Sequence, residues 1–151
     1  MVSGAGSVVP VTRERLAGEI VDAVLARTGR ERVAVDGAPP TWPDELAADV
    51  TERLRTAGRA ALLVRAGDFL RPASVRMEFG RTDSDGLLDL ALDAAALRRE
   101  VLDPAAPDGS GRVLPRLWDA AADRSFRDGY VTFSPDGVVV VAGSLLLVRD
   151  G

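Results

Sequence analysis

The chain does without five residue types. Its 151 residues include no histidine, cysteine, lysine, asparagine or glutamine, and all 19 basic residues are arginine. Each absence removes a chemistry. No Ser-His-Asp or Cys-His machinery can be assembled. Zinc sites built from thiolates or imidazoles are excluded, and so are a Schiff-base lysine and a P-loop lysine. Arginine cannot replace them as a base, because it stays protonated. What remains is Asp, Glu, Ser, Thr, the single Tyr130, Arg and backbone amides. The exclusive use of Arg beside abundant Ala, Gly and Val reads as the compositional mark of a high-GC bacterial genome. With no cysteine, the redox compartment is not encoded.

The rest of the composition is that of a globular domain, with 46% hydrophobic and 28% charged residues. A chain of this length suits one domain and buries roughly 70% of its unfolded surface, so its core needs no disulfide or metal. The net charge of −4 argues against nucleic acid and anionic membrane as partners. The first ten residues lack the basic start and apolar core of a secretory signal. The longest apolar stretch, Val138 to Val148, is broken by Gly143 and Ser144 and is shorter than the ~20 residues of a bilayer span. These features give a cytoplasmic expectation.

Along the chain, residues 1–30 read as an N-terminal arm and helix, and 31–151 as one α/β domain. Thr12 caps a helix predicted to Arg27, with Leu16, Ile20 and Val24 on one face and Gly29 as the stop. Residues 32–36 read as a short buried strand. Pro43, Asp44 and Glu45 open a second helix to Thr56, with Leu46, Val50 and Leu54 as its buried stripe. A second strand is expected at 61–65, so strand, helix and strand form a βαβ unit with a parallel sheet. Residues 67–85 read as a long functional loop and 86–102 as a helix ended by Asp103-Pro104. Asp108 to Gly111 is a turn-rich linker. Residues 113–118 and 130–133 are expected to pair as a hairpin around 119–129. The β-branched run Val138 to Ala142 fits a central parallel strand buried on both faces.

Several strings, in order, carry a resemblance. They are Val33-Ala34-Val35-Asp36-Gly37, Asp44-Glu45-Leu46-Ala47, Gly67-Asp68-Phe69-Leu70-Arg71-Pro72, Gly80-Arg81 with Gly86, and Leu97-Arg98-Arg99 with Leu102-Asp103-Pro104. Then come Gly109-Ser110-Gly111-Arg112, Trp118-Asp119 with Asp123-Arg124, and Val139-Val140-Val141-Ala142-Gly143. Together, over residues 31 to 150, they resemble the uridine kinase family of P-loop nucleoside kinases. The resemblance implies a three-layer P-loop NTPase-like parallel sheet with an inserted β-hairpin. It also implies phosphoryl transfer from ATP or GTP, with Mg²⁺, to the 5′-hydroxyl of uridine or cytidine. A phosphate loop would follow the first strand, an acidic base the second, and an acidic Mg²⁺ partner would end the third. Family members continue for two further strands and an Arg-bearing lid, so the core is expected to be incomplete on its C-terminal side. The expectation is then either a fragment of a longer product or a truncated chain whose sheet edge is open to self-association.

The chain departs from the family at the chemical positions. The phosphate-loop stretch Gly37, Ala38, Pro39, Pro40, Thr41, Trp42 and Pro43 has no lysine, and its three prolines each remove an amide donor. A phosphate cradle needs convergent N–H groups and a cation, and phosphoryl transfer depends on positioning and charge neutralisation. The base position holds Gly67, with Asp68 one residue on, before Phe69. Asp68 is either a displaced base or a loop cap. Ala142 stands where the third-strand acid is expected, leaving Asp36 as a weak metal candidate. On the nucleoside side, Arg71 and Arg81 flank the long loop, and Trp118, Asp119 and Arg124 sit on the hairpin. An aromatic with Arg can stack and hydrogen-bond a pyrimidine; Trp118 as plain core is the alternative. Leu87 and Leu88 stand where the family often has aromatics. Arg98 and Arg99 read as a solvated helix face, and Gly109 to Gly111 as a turn. Three functions follow: an impaired relative that keeps nucleoside binding, an active uridine/cytidine kinase, and a scaffold without a ligand.

Overall fold

A computed structural model describes residues 9–38, 43–76 and 92–144. Helix α1 (Arg13–Leu25) is capped by Thr12, whose hydroxyl accepts from the Arg15 amide at 3.1 Å. Strand β1 (Glu31–Asp36), helix α2 (Pro43–Thr56) and strand β2 (Ala61–Arg65) follow, so the βαβ unit stands where its periodicity places it. After α2 the chain turns at Gly58, which has φ +86°. The Arg59 amide reaches back to the Leu54 carbonyl at 2.9 Å, a closure that requires the left-handed conformation glycine tolerates.

A 3₁₀ turn (Ala66–Phe69) leads to the short helix α3 (Ala73–Arg76). Helix α4 (Ala94–Leu97) runs into a π turn, Arg98–Leu102. Of the predicted helix over 86–102, the described part is interrupted at Leu92 and Asp93 and is helical from Ala94. Leu92 forms a β-bridge to Leu70, and Asp93 caps α4 through the Ala96 amide. A capping carboxylate outcompetes helix continuation at that point. Residues 86–91, with Leu87 and Leu88, lie outside the described residues, as does the loop from 77.

The inserted segment is a nested pair of ladders, not the one hairpin expected. Strand β3 (Arg112–Val113) pairs antiparallel with β6 (Val131–Thr132), and inside them β4 (Trp118–Asp119) pairs with β5 (Arg124–Ser125). Pro115 divides the two because it has no amide to donate.

Strand β7 (Val138–Gly143) lies between β1 and β2, parallel to both. Its side chains alternate between two cores. Val138, Val140 and Ala142 join Ala17, Val21 and Val24 of α1, Ala47, Val50 and Leu54 of α2, and Val35. Val139 and Val141 join Val64, Phe69, Ala96, Leu97, Val101, Val113 and Phe133 on the other face. The architecture is thus a three-layer α/β sandwich with the β-branched strand at its centre. Helix α1 shares the first core with the rest of the sheet. Its buried face is Ala17, Val21 and Val24, with Leu16 and Ile20 only half-buried, so the apolar stripe is rotated from the predicted one.

β1 is not the fully buried strand expected. Its burial alternates, with Val35 buried and Arg32 and Ala34 exposed. Among the described residues it pairs only with β7. Among the same residues no helix is long and apolar enough to cross a membrane.

Two arginines tie the N-terminal ends of the strands together. Arg59 is 7% exposed. It donates to the carbonyls of Asp136 (2.6 Å), Gly29 (2.6 Å), Arg27 (2.7 Å) and Val24 (3.3 Å). Arg30 donates to Gly109 O at 2.8 Å and lies over the Phe133 ring. That contact explains Gly111, which has φ +74° and whose added Cβ would meet the Arg30 guanidinium at 2.5 Å. The amides of Gly109 and Gly111 bond to Ala106 O and Pro104 O. The glycine-rich linker is therefore a packed turn, with those amides already used.

Candidate functional site

In open parallel sheets ligands bind beyond the carboxyl ends of the strands. Asp36 ends β1 there, opposite Gly143 of β7. The Gly37 amide donates to Gly143 O at 3.1 Å, and the Ser144 hydroxyl donates to Gly37 O at 2.8 Å. The start of the candidate phosphate loop is thereby latched to the end of the central strand. Pro39, Pro40, Thr41 and Trp42 lie outside the described residues, as does Arg81; Gly37 is half-buried and Ala38 exposed. Ala142 is fully buried, paired in the ladders with Val35 on one side and Arg65 on the other. Its methyl group offers no oxygen to a cation. Among the described residues no three acidic side chains converge as a metal site.

Asp68 lies just beyond β2, on the 3₁₀ turn anchored by fully buried Phe69. The turn is held from above by the inserted ladders: the Leu117 amide donates to Asp68 O, and the Phe126 amide to Leu117 O, each at 3.0 Å. Among the described residues no donor reaches the Asp68 carboxylate, so the loop-cap bond considered for it is not made there. Burial pushes its pKa above the ordinary aspartate value. Arg116 and Arg65 pull it back, and Asp119 and Asp128 add to the rise. Arg116 is itself clamped by Asp128 through two bonds of 2.7 and 2.8 Å and stacks on Phe126 at 4.2 Å. Asp128 is held below its usual value, chiefly by that hydrogen bonding.

The raised pKa has a stability consequence with a defined sign. Asp68 binds its proton more tightly folded than unfolded. Its contribution therefore favours folding below the ordinary aspartate pKa and is lost as pH rises through the folded value. Asp68→Asn is expected to raise the unfolding midpoint at neutral pH and to lose that advantage on acidification. A midpoint difference that does not change with pH would contradict this.

The other candidates fall into two groups. Trp118 is half-buried and belongs to neither core cluster. Its indole N–H donates to Asp123 Oδ1 at 3.2 Å, and the same oxygen accepts the Ala73 amide at 2.8 Å. Asp123 thus fixes the Trp118 ring and ties the inner ladder to the start of α3. Periodicity did not single out this residue; its one distinguishing mark is φ 50°, a left-handed conformation that Asp tolerates. Asp119 closes the inner turn by accepting from the Ala121 and Ala122 amides at 3.1 and 3.2 Å. Arg124 stands opposite it in the ladder, exposed. Arg71 is half-buried between the 3₁₀ turn and α3. The ladders therefore bring Trp118, Asp119 and Arg124 to the side of the sheet that carries Asp68. Tyr130 lies on the outer ribbon instead, where its hydroxyl donates to Glu100 at 2.5 Å.

A parallel sheet between two helical layers, with a ladder inserted after its second strand, defines a class: a three-layer α/β fold. Among solved structures, one described as a possible uridine kinase from Bacillus stearothermophilus is similar to this chain with a TM-score of 0.73. The match covers 88% of this chain and 72% of that one at 17% identity, so the likeness is one of fold. No family model and no curated protein matches the sequence.

Proposed function

We propose that this chain is a uridine kinase-like protein that keeps the acceptor half of the site and lacks the donor half. The observation that carries this reading is Asp68: half-buried, its carboxylate unpaired among the described residues, beneath a ladder bearing an oriented tryptophan. A carboxylate so placed can accept a hydrogen bond from a primary hydroxyl, and Trp118 with Arg124 offers a stacking plane and a donor for a base. The donor half fits nucleotide and Mg²⁺ poorly. There is no lysine in the chain, three prolines crowd the loop, and Ala142 provides no side-chain oxygen.

The second reading, an active kinase for uridine or cytidine, is favoured by one feature, the raised pKa of Asp68. A general base works best with a pKa near the operating pH. Thermal unfolding with uridine, and separately with MgATP, discriminates. Uridine at about 100 times its dissociation constant should add about 2.7 kcal/mol, a rise of roughly 5–10 °C for a chain of this size. The expected result is a shift with uridine, none with MgATP, and loss of the uridine shift in Asp68→Ala. Phosphate transfer that Asp68→Ala abolishes would replace this reading with the active kinase. No shift with either ligand would leave only the scaffold.

A further inference from the structure

Arg116 is held in place by the ladder that covers Asp68. It stands one residue before Leu117, whose amide donates to Asp68 O at 3.0 Å, so it enters the ladder beside the 3₁₀ turn. The Phe126 amide bonds to Leu117 O. That register brings the Phe126 ring against the Arg116 guanidinium at 4.2 Å and Asp128, two residues on, against its Nε and Nη2 at 2.7 and 2.8 Å. A two-bond carboxylate contact fixes the plane of a guanidinium, and the ring supports one of its faces. An exposed arginine ordinarily contributes little, because holding one pose costs it rotamer freedom. Here the clamp and the ring have already ordered the side chain.

Two cations oppose the effect of burial on Asp68, Arg116 first and Arg65 second. They are not equivalent. Arg65 ends β2 with an exposed side chain that no bond fixes among the described residues. Two acids act the other way. Asp119 is engaged by the Ala121 and Ala122 amides, and Asp128 by Arg116 itself. A carboxylate in partial burial takes up a proton unless an opposite charge stands near it. We propose that Arg116 is a positioning residue for Asp68: pinned by Asp128 and Phe126, its guanidinium keeps the half-buried carboxylate ionised and so able to accept a hydrogen bond from a bound hydroxyl. The inference rests on the acceptor reading of Asp68. An ionised acceptor makes the stronger bond, so binding through Asp68 has an acid limit that Arg116 sets.

Carboxyl titration by NMR of the full chain, isotope-labelled at aspartate, reads this without any ligand, with Asp68→Asn assigning the signal. Arg116 belongs to neither core cluster, so its variants should keep the fold. The expected result is a higher Asp68 midpoint in Arg116→Gln, which keeps an N–H for Asp128 and removes the charge. Arg116→Lys should raise it less, because the ammonium keeps the charge but not the planar clamp. Thermal unfolding with uridine reads the consequence. In the parent protein the uridine shift should fade as pH falls through the Asp68 midpoint, and in Arg116→Gln it should fade at higher pH. An Asp68 midpoint that stays put in Arg116→Gln overturns the inference, as does an equal rise in both variants or a uridine profile that Arg116→Gln leaves unmoved. A parent protein that gains no uridine shift at any pH overturns the acceptor reading instead, and the ligand-free titration still decides whether Arg116 holds Asp68 ionised.

Discussion

Replacing Arg59 with alanine is expected to destabilise the protein by about 3 kcal/mol, lowering the unfolding midpoint by roughly 6–12 °C. The guanidinium is buried and donates to four carbonyls from three chain segments: the end of α1, the approach to β1 and the approach to β7. Removing it leaves those carbonyls without their donor and opens a void beneath α1. It also removes a cation from the C-terminal end of that helix, where the dipole favours positive charge. The Asp136 carboxylate, 3.6 Å away, is mostly solvated, so the loss comes from the carbonyls and not from a stranded anion. Arg59→Lys should recover only part of the stability, because one ammonium cannot span a fan that a planar five-donor group fills. Urea unfolding of both variants measures the difference; equal stability of Lys and Arg would show that charge alone matters there.

Arg59 marks the limit of what the sequence makes legible. Helix α2 and strand β2 are readable to the residue, because Pro43 with two acids at one end, Gly58 at the other and a regular apolar stripe state their bounds locally. β7 is readable as central because a β-branched run with no polar break has to be covered on both faces. A side chain that bonds to carbonyls leaves no period: Arg59 and Arg30 look like any other surface arginine. The same holds for Asp123, whose task is set by the indole and amide that meet it across the fold. On α1 the spacing finds Val24 and Ile20 on the core side, but the centre of the buried face is Ala17 and Val21, because a small residue packs closely where two helices meet. β1 reads as buried because its apolar run is indistinguishable from that of a covered strand; the alternation of its burial appears only in the sheet. For the site, Asp68 is placed by its order after β2. Its lack of a donor among the described residues and its raised pKa depend on the ladders folding over it, which no local pattern contains.

Phe69→Ala is expected to cost about 3–5 kcal/mol and, on the proposed reading of the site, to remove uridine binding with it. The ring is fully buried among Val64, Leu97, Val101, Val139 and Val141, where truncation leaves a cavity that packed neighbours cannot fill. Its backbone carbonyl also accepts the Asp93 amide at 2.8 Å, which links the 3₁₀ turn to the cap of α4. Asp68 precedes it directly, so the ring is the anchor that keeps the carboxylate under the ladder. Phe69→Leu keeps most of the volume and should cost about 1.5 kcal/mol or less. Under conditions where both variants are folded, uridine should still stabilise Phe69→Leu, and Phe69→Ala should bind it at least tenfold more weakly. Were Phe69→Ala to keep full affinity while losing stability, the ring would be core alone and the turn would owe its position to the Leu117–Asp68 bond. That outcome would assign the support of the Asp68 carboxylate to the inserted ladders and not to the sheet.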